Sequence, residues 1–285
     1  MKYWESRRYE NKILPGDCLQ VLPFIPDKSV DMILCDLPYG ITGNLWDKPI
    51  PLPALWEQYE RIIKDNGAIV LTSQGRFTGQ LIMSNEKLFR YKIVWIKSVA
   101  TGFLNARRQP LRKHEDICIF YKQSPSYNPQ FQPGKPYDPS TSSGKQTGSY
   151  GKFRSLRTPN LTGLRYPTDT LLPTQDEFGE DHVCFKTANG EGRVYHSVQK
   201  PVALGRYLIR TYTNEGDIVL DNACGCGTFL VAAILENRRF IGIERNVGGL
   251  LHKAHPIDYV KVSRKRVADA FKMVHNTKSP LKGAA

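Results

Sequence analysis

Ile218-Val219-Leu220-Asp221-Asn222-Ala223-Cys224-Gly225-Cys226-Gly227-Thr228 joins an apolar run, an acid, a glycine-punctuated turn and a second apolar run. The first run reads as a buried strand, because a parallel strand covered on both faces needs no polar alternation. Gly225 and Gly227 permit a tight turn and let the backbone come close to a ligand. Gly227 to Glu236 then reads as a helix. In a doubly wound sheet such a turn stands at the carboxyl end of a strand, where ligands bind. The next strand, 239–244, ends about 20 residues on in Glu244, placed to accept hydrogen bonds from ribose hydroxyls. The chain has no G-x-x-x-x-G-K-[ST] loop, which argues against a P-loop ATPase.

Upstream, Val30 to Cys35 is another short apolar run, ending at Asp36. Pro53 to Lys64 carries Leu55, Tyr59, Ile62 and Ile63 at helical spacing, with Asn66-Gly67 as a stop. Gly67 to Thr72, Tyr91 to Ile96 and Asp116 to Tyr121 are further strands. Downstream, 201–212 and 258–274 read as helices, the first opened by a proline. Strand alternating with helix predicts an α/β, doubly wound sheet.

The texture changes between about Gln123 and Thr174, where proline, glycine, serine and tyrosine dominate. So little aliphatic content makes the segment loop-rich. Its tyrosines (Tyr127, Tyr137, Tyr150, Tyr166) interleave with Lys152, Arg154, Arg157 and Arg165, pairing stacking platforms with phosphate contacts. A nucleic-acid-contacting insert is therefore expected over a plain linker.

The formal net charge of +13 favours a polyanionic partner. Hydrophobic residues make up 40% of the chain, with no stretch of 18 apolar residues and no apolar core near Met1. A cytoplasmic, non-membrane protein is expected. Six cysteines form no C-x-x-C pair, and His252-x-x-His255 lacks a carboxylate or third ligand. Neither a metal site nor a disulfide framework is expected.

A second constellation, Asp36-Leu37-Pro38-Tyr39-Gly40, directly follows a buried strand. An aromatic amino group is a poor nucleophile, because its lone pair is delocalised into the ring. A carboxylate accepting one N–H, and a backbone carbonyl from Leu37 or Pro38 accepting the other, localises that pair on nitrogen. Tyr39 offers a flat face for a base drawn from its helix. Taken alone, D-x-P-Y is by default an ordinary strand-to-loop turn.

Asp36-Leu37-Pro38-Tyr39 resembles the D-P-P-Y motif of amino-group DNA methyltransferases, with leucine in the second position. Asp221 to Thr228 is similar to their D-x-F-x-G-x-G-T cofactor loop, with Ala223 in the phenylalanine position. His196 to Pro201 resembles their H-x-T-Q-K-P segment, and Gly16-Asp17-Cys18-Leu19 matches G-D-C-L. The catalytic motif precedes the cofactor loop, the order of the β class. In RNA and protein methyltransferases with N-P-P-Y motifs the cofactor loop usually comes first.

The resemblance implies a Rossmann-like, seven-stranded, circularly permuted S-adenosylmethionine-dependent fold. Residues 1–122 and 196–285 would form the catalytic domain, with 123–195 as the target-recognition insert. It implies that Asp17 meets the cofactor adenine and that Cys18 belongs to the cofactor site. Lys200, Asp221, Ala223, Gly225, Gly227, Thr228 and Glu244 complete the cofactor site, which Asp36 borders. Double-stranded DNA is the implied partner, contacted near the pocket by Arg107, Arg108, Arg112 and Lys113. A homodimer is an arrangement some relatives adopt. The D-P-P-Y type implies N6 of adenine. Cytosine N4 is the alternative base, and a cofactor- and DNA-binding module without turnover is the alternative of another class.

Overall fold

A computed structural model describes residues 8–44, 46–138, 159–171, 188, 194–195, 198–246 and 257–278. Eight strands form one sheet: β1 (Lys12–Pro15), β2 (Val30–Cys35), β3 (Ile63–Ser73), β4 (Phe89–Thr101), β5 (Arg112–Phe120), β6 (Thr170–Leu171), β7 (Ile218–Asp221) and β8 (Arg239–Glu244). Their order is β1-β8-β7-β2-β3-β5-β4-β6. Only β5 runs against its neighbours, β3 and β4. The two halves of the chain interlock here: β7 pairs with β2 and β8 with β1, as the permuted order demands.

Alternation along β2 sorts the core into two layers. Met32 and Leu34 join the cluster under α4 (Val202–Tyr212), α5 (Thr228–Leu235) and α6 (Tyr259–Lys278). Ile33 and Cys35 join the opposite one, under α1 (Cys18–Val21), α2 (Leu52–Ile62) and α3 (Arg76–Ser84). Helix α5 (TFLVAAIL) is apolar on every side because it packs against both α4 and α6. Helix α2 is amphipathic and buries Leu55, Trp56, Tyr59 and Ile62, each worth about 1.5–3 kcal/mol if apolar and fully buried.

Three readings are adjusted. Asn66-Gly67 is not the stop of α2: the helix ends at Ile62, and Ile63 already pairs with Val30 in β3. Gly67 instead lies inside β3, where an added Cβ would sit 2.8 Å from the Asp31 carbonyl oxygen. Strands β4 and β5 outrun their expected spans and join as a long hairpin. The eighth strand is β6, two residues of the expected insert laid parallel to β4. The insert is also tied down at Asn128, whose Nδ2 donates to the carbonyls of Arg210 (3.1 Å) and Thr213 (2.9 Å).

Candidate active site

Because β1, β2, β7 and β8 are parallel, their carboxyl ends lie along one edge, bringing Asp17, Asp36, Asp221 and Glu244 together. All four line one cavity of about 530 Å³. Asp17 caps α1, accepting the Leu19 N–H at 2.9 Å. Glu244 stitches the turns together: Oε2 accepts the Gly225 N–H and Oε1 the Asn246 N–H, both at 2.7 Å, while its carbonyl accepts from Gly16 at 2.9 Å. Burial raises the Glu244 pKa. Asp221 is 3% exposed and accepts the Ala223 N–H at 3.2 Å. Burial, with Asp36 and Glu244 nearby, pushes its pKa up to about 7.

Asn222, which the sequence reading did not single out, belongs to the same wall. Its Oδ1 accepts from the Tyr59 hydroxyl at 2.5 Å. Its Nδ2 is buried against the Cys18 thiol, a weak acceptor, and has no other hydrogen-bond partner among the described residues. A buried donor without a strong acceptor costs up to roughly 1–3 kcal/mol, so this amide is poised for a ligand atom in the cavity. Gly227 does not line the cavity. It starts α5 at φ +79°, and an added Cβ would stand 2.9 Å from Ser263 Cβ. Its glycine serves helix packing, not the contact expected from the motif.

At the other end of the cavity Asp36 is held from three sides. Oδ1 accepts hydroxyl hydrogens from Thr72 (2.5 Å) and Tyr39 (2.8 Å), and Oδ2 accepts from Lys200 Nζ at 2.7 Å. Burial, then Asp36, raise the Tyr39 pKa, so its phenol keeps the proton it donates. Phe77 stacks on the Tyr39 ring at 5.1 Å and 27°. The loop after Tyr39 is pinned by buried Asp47, which accepts the N–H groups of Gly40 (2.8 Å), Ile41 (3.0 Å) and Thr42 (2.7 Å).

Lys200 also approaches Glu115 Oε2 at 3.2 Å, and Glu115 Oε1 accepts from Lys97 at 3.3 Å. Burial works to lower the Lys200 pKa, but Asp36 and Glu115 outweigh it and hold the ammonium above the ordinary lysine range. The ammonium is thus engaged at the Asp36 end of the cavity, whereas the sequence reading gave Lys200 to the cofactor. Lys97 and Glu115 were missed because nothing in their local pattern separates them from strand residues. Cys18, Ala223 and Thr228 line the cavity, as do Leu37 and Pro38. Burial raises the pKa of the Cys18, Cys35, Cys224 and Cys226 thiols, so none is poised as a nucleophile.

Of the expected phosphate contacts, Arg107, Arg108, Arg112 and Lys113 are exposed on or beside the β4–β5 turn. Arg112 reaches the cavity wall. The Arg165 guanidinium is spent within the insert, over the Tyr137 ring at 4.6 Å and donating to the Lys135 and Gly163 carbonyls. Lys152, Arg154 and Arg157 lie outside the described residues, as do His196, Ser197, His252 and His255. Among the described residues no group of three or more His, Cys, Asp or Glu is arranged for a metal, and no helix is long and apolar enough to cross a membrane.

A doubly wound sheet with an acid–glycine turn and a second acid on adjacent strand ends defines an α/β protein built to hold a nucleotide-like cofactor. The DNA methylase family model matches residues 30–248, and the chain belongs to that family of N6/N4 methyltransferases. It is 26% identical over 281 residues to the DNA adenine methyltransferase YhdJ of Escherichia coli K12, covering 92% of this chain and 85% of that one. Among solved structures, the M1.HpyAVI–SAM complex superposes with a TM-score of 0.54 at 21% identity, covering 90% of this chain and 98% of that one. The cytosine-N4-specific PvuII DNA methyltransferase gives 0.56 at 14% identity, covering 95% and 94%. The fold is shared with both.

Proposed function

We propose that this chain transfers a methyl group from S-adenosylmethionine to N6 of an adenine flipped out of duplex DNA. The observation that carries the reading is one continuous cavity. Asp17, Asn222, Gly225 and Glu244 line one part of it and Asp36 to Tyr39 another, so a cofactor and a base would meet without leaving it. The residues fit that cofactor: two strand-end acids for hydroxyl and amino groups, a glycine turn for close approach, and an Asn222 amide lacking a strong acceptor. Sequence similarity to a DNA adenine methyltransferase supports adenine, as does the D-x-P-Y motif.

S-adenosylmethionine supplies an electrophilic methyl carbon on a sulfonium. The chain's own task is to orient the amino nitrogen and localise its lone pair. Asp36 Oδ1 already takes two hydroxyl hydrogens, which uses both of its lone pairs. Oδ2 takes one hydrogen from Lys200 and keeps a lone pair for a base N–H. That same atom is placed to take up the proton the amino group sheds after methylation. Tyr39, backed by Phe77, supports the base ring, and the Leu37 or Pro38 carbonyl accepts the second N–H. No covalent enzyme intermediate is needed; catalysis is orientation plus hydrogen bonding. Residues 123–195 are assigned to target recognition.

Labelled methyl transfer to unmethylated genomic DNA, followed by nucleoside mass spectrometry, tests the reading. N6-methyladenine is the expected product. N4-methylcytosine overturns the base alone, and no label in DNA overturns the function and leaves a cofactor-binding module.

A further inference from the structure

The tip of the β4–β5 hairpin displays two large apolar side chains that no described residue covers: Phe103 is 76% and Leu104 85% exposed. Such exposure is ordinary for a single residue, but an adjacent pair at the end of a protruding hairpin calls for a partner. The tip has a fixed shape. Gly102 takes φ +91°, and the turn closes on itself through Asn105 N–H to Gly102 O (2.9 Å), Ala106 N–H to Phe103 O (3.1 Å) and Arg108 N–H to Asn105 O (2.8 Å). A preformed turn presents its side chains with little ordering cost.

Its surroundings are cationic. Arg107, Arg108, Arg112 and Lys113 follow within ten residues, and no acid occurs between Lys97 and Glu115. That favours a polyanion over an apolar protein groove. The root of the hairpin is the active site. Thr101 and Arg112 pair across the two strands and both line the catalytic cavity. Lys97 of β4 donates to Thr101 Oγ1 (3.1 Å) and to Glu115 of β5, which meets Lys200 beside Asp36. Phe103 therefore starts two residues from the cavity wall, a chain reach of about 7 Å.

We propose that Phe103 and Leu104 form a wedge that enters the base stack of duplex DNA and fills the space left by the flipped target, while the flanking arginines hold the phosphates. The inference rests on the DNA methyltransferase reading. Inserting apolar side chains at a base step replaces stacking lost on extrusion. The wedge thus matters most when the target base is paired.

The test is F103A/L104A, two exposed positions, assayed on oligonucleotide duplexes carrying the site that genomic methylation identifies. One duplex pairs the target normally; the other places an abasic position opposite it. On the paired duplex the variant is expected to lose at least about tenfold in kcat/KM, since part of the extrusion cost goes uncompensated. On the abasic duplex it should approach wild type. Wild-type rates on both duplexes, or equal losses on both, overturn the wedge while leaving the methyltransferase reading intact. A wild-type protein that methylates neither duplex overturns that reading and the wedge with it.

Discussion

Lys200 Nζ lies 2.7 Å from Asp36 Oδ2 and 3.2 Å from Glu115 Oε2, so its ammonium bridges two carboxylates at the cavity wall, the second of which Lys97 also holds. All three side chains are largely buried, Lys200 at 7% exposure. Removing one partner of a buried charge cluster leaves uncompensated charge, typically costing about 3–5 kcal/mol. Lys200→Met is therefore expected to destabilise the fold by that order. Lys200→Met with Asp36→Asn should recover a good part of it, because Asp36 is the carboxylate left without a cation, whereas Glu115 keeps Lys97. Denaturant unfolding of the two variants checks this; simple additivity would mean that the pair does not couple in solution.

Asp36→Ala separates base chemistry from cofactor binding. Its carboxylate faces the expected position of the amino group, whereas Asp17, Asn222 and Glu244 stand elsewhere on the cavity wall. Methyl transfer is expected to fall at least about a hundredfold, the scale of losing one oriented transition-state contact. Cofactor affinity, read by calorimetry, should change little. A parallel loss of both would assign Asp36 to the cofactor instead.

The pH response follows from Asp221. Its folded pKa, about 7, lies above the ordinary aspartate value near 4. The group's stabilising contribution is therefore complete below about pH 4 and is lost as pH rises through 7. The free protein should become less stable between pH 5 and pH 8, and Asp221→Asn should flatten that slope. A cationic cofactor beside Asp221 favours the carboxylate. Binding should then release protons near pH 7 and tighten as pH rises, seen as buffer-dependent heats in calorimetry. Buffer-independent heats in the wild type would contradict this.

The fold was legible where burial removes ambiguity. Strand β2 was read to the residue because both faces are covered, and α4 because a proline opens it. Asp17, Asp36, Asp221 and Glu244 line one cavity, as the family resemblance implied, since each ends a parallel strand or begins the turn after it. Three kinds of feature escaped. Strand β1 stands at the sheet edge and buries only Ile13, so it lacks the continuous apolar run that marks the equally short β7. Asn222 and Thr72 act through contacts 163 and 36 residues away, which no local window contains. Gly227 looked like a ligand-facing glycine, but its neighbour is Ser263 on α6, a packing partner invisible in the motif.

Salt dependence reports on the hairpin cations. Arg107 and Arg108 are exposed beside the apolar tip, and each phosphate contact adds about 0.9 to the slope of log K against log salt on B-DNA. Arg107→Ala with Arg108→Ala should lower the slope by about 2 and weaken binding to unrelated sequences equally. An unchanged slope would remove these residues from the DNA interface.

The loop behind Tyr39 depends on one carboxylate. Asp47 accepts three successive N–H groups, from Gly40, Ile41 and Thr42, and is 6% exposed. Because Tyr39 directly precedes this turn and donates to Asp36, slack in residues 40–42 passes to the ring that supports the base. In Asp47→Ala all three donors lose their acceptor, at about 1–3 kcal/mol for each that stays buried and unpaired. The loop should instead open to solvate them. Hydrogen exchange at residues 40–42 is expected to accelerate strongly while the β2 and β3 amides stay protected, and KM for DNA should rise more than cofactor affinity falls. Unchanged exchange at 40–42 would mean the Asp47 contacts do not hold the loop. Faster exchange across β2 and β3 as well would make Asp47 a determinant of the whole fold and not of the base-supporting turn.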